Sequence, residues 1–464
     1  MKRISLFSDE TAASGVSGTI GRHKALAIEY MAIADLTPDP KNPRVHSKKQ
    51  VRQIAESIRV FGFNVPVLID SQSQIVAGHG RVQAGKSLGI TEVPTIRLEH
   101  LTEAQINAFM IADNRLTEIA AWDNRLLGEQ LKLLSELELD FSLDVTGFEM
   151  GEIDLLIEGL TPAGQHKEDV ADRVPAAPPG NPVSRVGDLW LLGRNRVFCG
   201  DALKPESYTK LMENRLASSV FTDPPYDLPI GGNVSGHGAV QHKEFLMAAG
   251  EMDSAEFTEF LGQACGLLAR HSVPGSIHFI CMDWRHTGEL VAAGNGVYGQ
   301  LKNLCVWVKD YGGMGSLYRS QHELIFVFKN GDADHQNNVH LGQFGRNRTN
   351  VWKYPGVNSF ARSTDEGNLL AIHPTIKPVQ LVADAVLDCS ARGDIVLDCF
   401  LGSGTTVIAA ERTGRVCDGI EIDPLYVDTI IRRWQAFTGD CAVNIELGQT
   451  FTELEEKTKN GLER

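Results

Sequence analysis

The sequence predicts an α/β architecture: an open, doubly wound sheet in the C-terminal half, preceded by a smaller α+β unit. Three observations carry this. The apolar, strand-like runs 218–222, 395–397 and 416–420 each lead directly into an acidic residue, Asp223, Asp398 and Glu421. After Asp398 come glycines and then the helix-forming run 407–411, the strand–turn–helix order of parallel α/β units. Residues 33–110 instead mix short β-type runs with two helix starts. Length agrees, since 464 residues suggest about three folding units at roughly 150 residues each. A hydrophobic content of 42% supports packed cores and excludes disorder as the main state.

Along the chain, residues 1–31 read as a tail. The apolar stretch after Met1-Lys2-Arg3 spans only residues 4–7, too short for a signal-peptide core, and no apolar run approaches the roughly 20 residues of a membrane span. The eight cysteines contain no Cys-x-x-Cys pair and the histidines no ligand spacing, so the expectation is a cytoplasmic chain with no metal and no membrane partner. In the first domain, 32–115, Ser47 with Gln50 predicts a capping box, and Val51, Ile54, Ala55 and Ile58 follow at helical spacing until Gly62. Strands are expected at 65–69, 74–77 and 93–98, and a second capping box, Thr102 with Gln105, opens a helix containing Ile106, Phe109 and Met110.

Residues 116–160 read as an acidic helical connector. Within 112–160 there are 3 Lys+Arg against 12 Asp+Glu, a large share of the formal net charge of -15. That net charge excludes nucleic-acid binding by bulk charge alone and leaves only local binding. Leu126, Leu127, Leu131, Leu134 and Leu137 form an apolar face, expected to pack on the preceding domain or on a second copy as a homodimer. Residues 161–184 hold Pro162, Pro175, Pro178, Pro179 and Pro182 and read as a linker, which sets the main boundary there. The second domain, 185–446, and a C-terminal tail, 447–464, complete the chain.

The chemistry lies at the strand ends. In Asp223-Pro224-Pro225-Tyr226 the prolines cannot continue a ladder, so the chain leaves its strand in a stiff loop whose carbonyls face outward. An exocyclic base amine has its lone pair delocalised into the ring. Accepting its two N–H groups, on the Asp223 carboxylate and the Pro224 carbonyl, makes the nitrogen nucleophilic, and Tyr226 would stack on a flipped-out base. Taken alone the tetrapeptide fits a Pro-Pro turn with an Asp cap equally well. Asp398-Cys399-Phe400-Leu401-Gly402-Ser403-Gly404-Thr405-Thr406 is a glycine turn at a helix start; it lacks the Lys of a P-loop and the third glycine of a dinucleotide fingerprint. Glu421, about 20 residues past the glycines, stands where an acid binds ribose hydroxyls, so the pair implies a nucleoside-bearing cofactor.

These motifs in this order resemble the β group of S-adenosylmethionine-dependent DNA amino-methyltransferases. CGDAL at 199–203, Trp307, Gln321-His322-Glu323, NVWKYPGV at 350–357 and His373-Pro374-Thr375-Ile376-Lys377-Pro378 add to the match, which covers roughly 185–445. The resemblance implies a mixed, seven-stranded, Rossmann-like methyltransferase sheet with a DNA-recognition insert at about 310–370. It implies that Asp223, Pro224, Pro225 and Tyr226 bind and activate the target amine. S-adenosyl-L-methionine would be held by Asp398, Phe400, Gly402, Ser403, Gly404, Thr405, Glu421 and Asp423, with further contacts from Asp201, Thr375 and Lys377. Asp at 223 leans towards adenine N6, where Ser would lean towards cytosine N4. The substrate would be double-stranded DNA, and the enzyme a solitary one of a phage or mobile element that requires no cognate endonuclease.

Residues 335–364 carry Arg346, Arg348, Lys353 and Arg362 and no Asp or Glu, interleaved with Phe344, Trp352, Tyr354 and Phe360. This is a candidate phosphate-facing patch; the other reading is a solvated loop whose aromatics belong to the core. The glycine-rich stretch 227–238 is a candidate loop over the base pocket. Asn42-Pro43-Arg44, the turn Gly78-His79-Gly80-Arg81 and Asp113-Asn114-Arg115 resemble the ParB/sulfiredoxin-like N-terminal domain. The family's Gly-Glu-Arg-Arg turn lacks its Glu and one Arg here. Arg44, Gly78, His79 and Arg81 then either cradle a phosphate, or the two arginines pair with acids beyond residue 112.

Overall fold

The structure is a computed structural model that describes residues 26–137, 139–160, 169–175, 181–227, 250–312, 317–342, 346–356 and 376–460. The chain divides into two compact units, one ending at Trp122 and taking in Asp144–Gly147, the other made of Asp123–Leu143 and the chain from Phe148 on. Of the residues singled out above, Arg362, Thr375, Phe344, Phe360 and the loop 228–238 lie outside the described residues.

The first unit is a five-stranded sheet of β1 Ile28–Ala32, β2 Thr37–Pro38, β3 Val67–Ile69, β4 Gln74–Ala77 and β5 Glu92–Arg97, in the order β1-β5-β3-β4-β2. Ile33, Leu36, Val67, Ile69, Ile75, Val82 and Val93 form its core. The helix Lys48–Phe61 begins where Ser47 predicts, but only half of the expected box forms. Ser47 accepts from the Gln50 N–H, while the Gln50 side chain turns to His46 instead. Thr102 and Gln105 form the complete box at the start of the helix Glu103–Ile119.

In the second unit, β6 Leu189–Leu192, β7 Asn195–Cys199, β8 Ala217–Thr222, β9 Ser272–Met282, β10 Gln300–Val308, β11 His322–Lys329, β12 Val351–Lys353, β13 Ile395–Asp398, β14 Val416–Glu421, β15 Val443–Asn444 and β16 Gln449–Thr450 form one mixed sheet. Its order is β12-β10-β11-β9-β8-β13-β14-β7-β6-β15-β16. The expected seven strands are the run from β10 to β7, and the short edge strands extend it. β9, β8, β13, β14 and β7 are mutually parallel; β11 runs antiparallel to β9, and β10, antiparallel to β11, returns to the common direction. The winding reverses between β8 and β13, and at such a switch point the carboxyl ends of the strands open a crevice. Asp223, Asp398 and Glu421 all stand at that edge.

Two expectations about the middle of the chain change. The leucine face of the helix Asn124–Glu136 packs on the helix that follows it, Met150–Glu158. Leu131 joins Leu143, Ile153 and Ile157, with Leu127 and Leu134 beside them, while Leu126 and Leu137 stay exposed. A Cβ on Gly128 would lie 2.7 Å from the Leu156 carbonyl oxygen, so glycine permits the close approach. This helix pair belongs to the second unit, where Asp154 is clamped by Arg415 at 2.8 and 3.0 Å and by Arg392 at 3.1 Å. The boundary therefore falls at Trp122 and not in the proline-rich stretch. Part of that stretch is docked: Asp172 accepts the Val379 N–H, Arg433 donates to the Ala171 carbonyl, and Asp428 accepts the N–H groups of Val183 and Ser184.

Candidate functional site

β8 is an interior strand, held by β9 on one side and β13 on the other, so the turn after Thr222 is placed by the sheet rather than by its own loop. Its side chains form a closed polar cluster. The Tyr226 hydroxyl donates to Asp223 Oδ1 at 2.5 Å, and the Lys377 ammonium donates to Asp223 Oδ2 at 2.5 Å. Lys377 also reaches Glu323 Oε2 at 3.0 Å, and Lys309 pairs with the other Glu323 oxygen. Lys377, expected among cofactor contacts, thus has its charged end on Asp223; only its carbonyl turns to the glycine turn, where it accepts from the Thr405 hydroxyl at 3.3 Å. Tyr226 presents its hydroxyl to the carboxylate as well as a half-buried ring.

The two carboxyls of this cluster are driven apart. Burial works against both, but the ammoniums of Lys377 and Lys309 bring Glu323 down to about 2, whereas burial raises Asp223 against the pull of Lys377, with Glu323 adding to the rise. Burial also disfavours a charged Lys377, and Asp223 and Glu323 outweigh it, so the ammonium persists. Burial lifts Tyr226 well above the ordinary phenol value, which keeps its hydroxyl a donor.

The glycine turn lies one strand away. Gly402 and Gly404 have φ of +53° and +82°, the left-handed region that favours glycine, and a Cβ on Gly404 would press on Ile430 at 3.0 Å. Asp398 accepts from the Thr222 hydroxyl at 2.8 Å, the Thr406 hydroxyl at 2.6 Å and the Phe400 N–H at 3.1 Å. It is a buried brace that ties β8, the turn and the helix Thr405–Thr413 together. Ser403 and Thr405 likewise face inward, onto the buried Arg433. The crevice side is left to Phe400, Glu421, Asp423 and Asp201. Glu421 accepts the N–H of Gly402 at 2.8 Å and of Asp423 at 2.9 Å, and burial pushes it up to about 7. Asp423 caps the helix Pro424–Thr438, and Asp201 binds its own Leu203 N–H at 2.9 Å. A buried acceptor, Glu421, and two half-buried ones, Asp423 and Asp201, beside an aromatic ring and open glycine backbone suit a ligand with a diol and a flat heterocycle.

The basic patch does not form as expected. Arg346 is 6% exposed and contacts Asp388, Asp384 and Glu158; Arg348 pairs with Asp384 and Asp388 and with the Tyr354 hydroxyl. Both arginines neutralise the acids of the helix Val379–Cys389, because two carboxylates on a largely buried helix need cations. Trp352 is core, at 5% exposure, and of the three described cations only Lys353 is exposed. In the first unit Gly78, φ +104°, caps the helix His79–Ser87, and His79 is buried, accepting from the Asp39 N–H at 3.3 Å. Arg44 pairs with Glu118 at 3.0 Å, and Arg81 lies near Asp113. A cleft of about 510 Å³ lined by His46, Lys48, Val51, Arg52 and Gln83 adds two cations that sequence reasoning missed. Among the described residues no helix is long and apolar enough to cross a membrane, and no group of three His, Cys, Asp or Glu could hold a metal ion.

Three family profiles match the chain: a ParB N-terminal domain over residues 20–114, a ParB-methyltransferase HTH domain over 125–186, and a DNA methylase over 217–432. The chain is 48% identical over 80 residues to the ParB-like nuclease domain-containing protein YnaK of Escherichia coli, covering 17% of this chain and 92% of that protein. It is 37% identical over 92 residues to the type II methyltransferase M.ScaI of Streptomyces caespitosus, covering 20% of this chain and 30% of that protein. The PvuII DNA methyltransferase (cytosine-N4-specific) aligns at 16% identity and a TM-score of 0.41, covering 58% of this chain and 94% of that one.

Proposed function

This chain carries an N6/N4 DNA methylase domain behind a ParB N-terminal domain, and from that premise we propose that it methylates the exocyclic amine of a flipped-out base in double-stranded DNA, with adenine N6 as the target. The observation that carries the reading is the placement of Asp223 and the Gly402/Glu421 pair on neighbouring strand ends across the switch point. S-adenosylmethionine is the methyl donor: when bound it supplies an electrophilic methyl group whose bond to sulfur breaks as the bond to nitrogen forms. Glu421 and Asp423 would accept from its ribose hydroxyls, Phe400 would pack on its ring, and the Gly402 turn would let the backbone approach it.

Asp223 and the Pro224 carbonyl accept the two N–H groups of the amine, which draws the nitrogen lone pair out of conjugation. The prolines leave no competing N–H in the loop, and Tyr226, fixed through its hydroxyl, offers its ring to the base. As methylation makes the nitrogen cationic, the Asp223 carboxylate is the nearest base to take the released proton. The protein's share of the catalysis is alignment of the amine with the methyl group and removal of water.

Adenine is favoured over cytosine by the aspartate that leads the motif. Expression of the chain, followed by mass analysis of nucleosides from the host DNA, tests both levels. N6-methyladenine that disappears with Asp223→Ala supports the full reading, N4-methylcytosine moves the target to cytosine, and unmodified DNA refutes methylation. The ParB-like unit would then add DNA contacts, with the described recognition segment contributing Lys353 rather than Arg346 or Arg348.

A further inference from the structure

The acceptor carboxylate is one of four charges in a cluster drawn from three distant parts of the chain: the turn after β8, the facing ends of β10 and β11, and the segment that enters the helix Val379–Cys389. Lys377 Nζ lies 2.5 Å from Asp223 Oδ2 and 3.0 Å from Glu323 Oε2, with a side chain only 5% exposed. Its ammonium lies 5.7 Å from the centre of the Tyr226 ring and 5.9 Å from that of Trp307. Lys309 holds the other oxygen of Glu323. Glu323 therefore has two cationic partners, and Asp223 shares one of them.

This arrangement bears on the acceptor state. Oδ1 of Asp223 already takes the Tyr226 hydroxyl, so an amine that approaches along Oδ2 meets the Lys377 ammonium that now donates there. An ammonium with a second acceptor at 3.0 Å can yield that place at a fraction of the cost of breaking an isolated buried pair. Resting on the methyltransferase reading, we infer that Lys377 is a positioning residue: anchored by Glu323, it holds Asp223 ionised and oriented, and gives up Oδ2 to the target amine.

The groups facing Asp223 are Lys377, Glu323 and Tyr226, with the Cys281 thiol of β9 and Asp398 of β13 further off. Of these only Lys377 is cationic. Burial and Glu323 both push the Asp223 carboxyl up, and the ammonium opposes them. Removing Lys377 therefore moves the acid limb of the rate profile to higher pH. Removing the negative charge of Glu323 moves it the other way, and leaves the ammonium wholly on Asp223, where it competes with the amine.

The test is the initial rate of methyl transfer to unmethylated plasmid DNA across the pH range, using the full chain, with melting curves to establish folding. A wild-type chain that transfers no methyl group refutes the methyltransferase reading, and this role falls with it. With an active wild type, Lys377→Met raises the acid limb by about one pH unit or more and regains much of its lost rate at alkaline pH. Glu323→Gln leaves the limb in place or lowers it, and raises KM for DNA about threefold or more. A pH-independent loss in Lys377→Met, or a limb raised by Glu323→Gln, overturns the assignment. If Lys377→Met does not fold, Glu323→Gln decides alone: a raised limb, or an unchanged limb with unchanged KM, overturns it.

Discussion

Replacing Asp154 by alanine tests how the helix Met150–Glu158 is held. Asp154 and Arg415 have side chains 1% and 0% exposed, and their bidentate contacts are 3.0 and 2.8 Å. Arg415 keeps hydrogen bonds to the carbonyls of Thr413 and Ser390, but these do not neutralise its charge. Truncating one partner of a buried pair leaves the other uncompensated, at about 3–5 kcal/mol. At roughly 2 °C per kcal/mol for a large unit, that is a fall of about 6–10 °C in the transition of the methylase unit. Methyl transfer at low temperature stays near wild type, because the clamp is remote from Asp223. Arg415→Met combined with Asp154→Leu removes both charges and recovers most of the loss, with Arg392, 13% exposed, turning towards water. Melting curves of Asp154→Leu, Arg415→Met and their double variant form the cycle. A loss below about 1 kcal/mol in Asp154→Ala, or a double variant as unstable as the sum of the singles, would refute the argument.

Further outcomes follow from the site. Asp223→Asn, which turns an amide N–H towards either Lys377 or Tyr226, lowers kcat about 100-fold or more while cofactor affinity by calorimetry stays within about threefold. Glu421 is pushed up to about 7, so it is increasingly protonated below that pH and loses its acceptor charge. Cofactor affinity then weakens towards about tenfold per pH unit on the acid side, and Glu421→Gln flattens the dependence; a flat wild-type curve in equilibrium dialysis counts against the ribose role. Lys353→Ala reduces the slope of log K against log salt for DNA by about 1. Arg348→Met instead lowers the melting temperature and leaves that slope unchanged.

What the sequence discloses is local. Strand ends at Asp223, Asp398 and Glu421 follow from apolar runs stopped by an acid and a turn, and the structure ends β8, β13 and β14 within a residue of them. What it conceals is pairing over distance. A basic, aromatic stretch looks like a DNA surface until its partners are known, and those partners lie on another helix. A signal was present, since Asp384 and Asp388 stand four apart on the otherwise largely apolar helix Val379–Cys389, and buried acids demand cations. Asp154 among Ile153, Leu155, Leu156 and Ile157, and Glu323 at the head of the apolar strand β11, ask the same question. The proline-rich stretch misleads for the opposite reason: composition reports stiffness, not whether the carbonyl of Ala171 has a buried arginine to meet.

That contact sets where the molecule can be cut. Arg433 bridges the Ser403 carbonyl of the glycine turn to the Ala171 carbonyl, and Asp172 secures the first turn of the helix Val379–Cys389. A methylase fragment begun at residue 185, just ahead of β6, would expose one side of Arg433 and loosen the turn that it braces. One begun at Asp169 would keep the brace but lose Asp154, leaving Arg415 and Arg392 bare. The fragment expected to fold on its own therefore starts at Asp123, and the two helices before the sheet are part of the methylase unit's foundation rather than its leash.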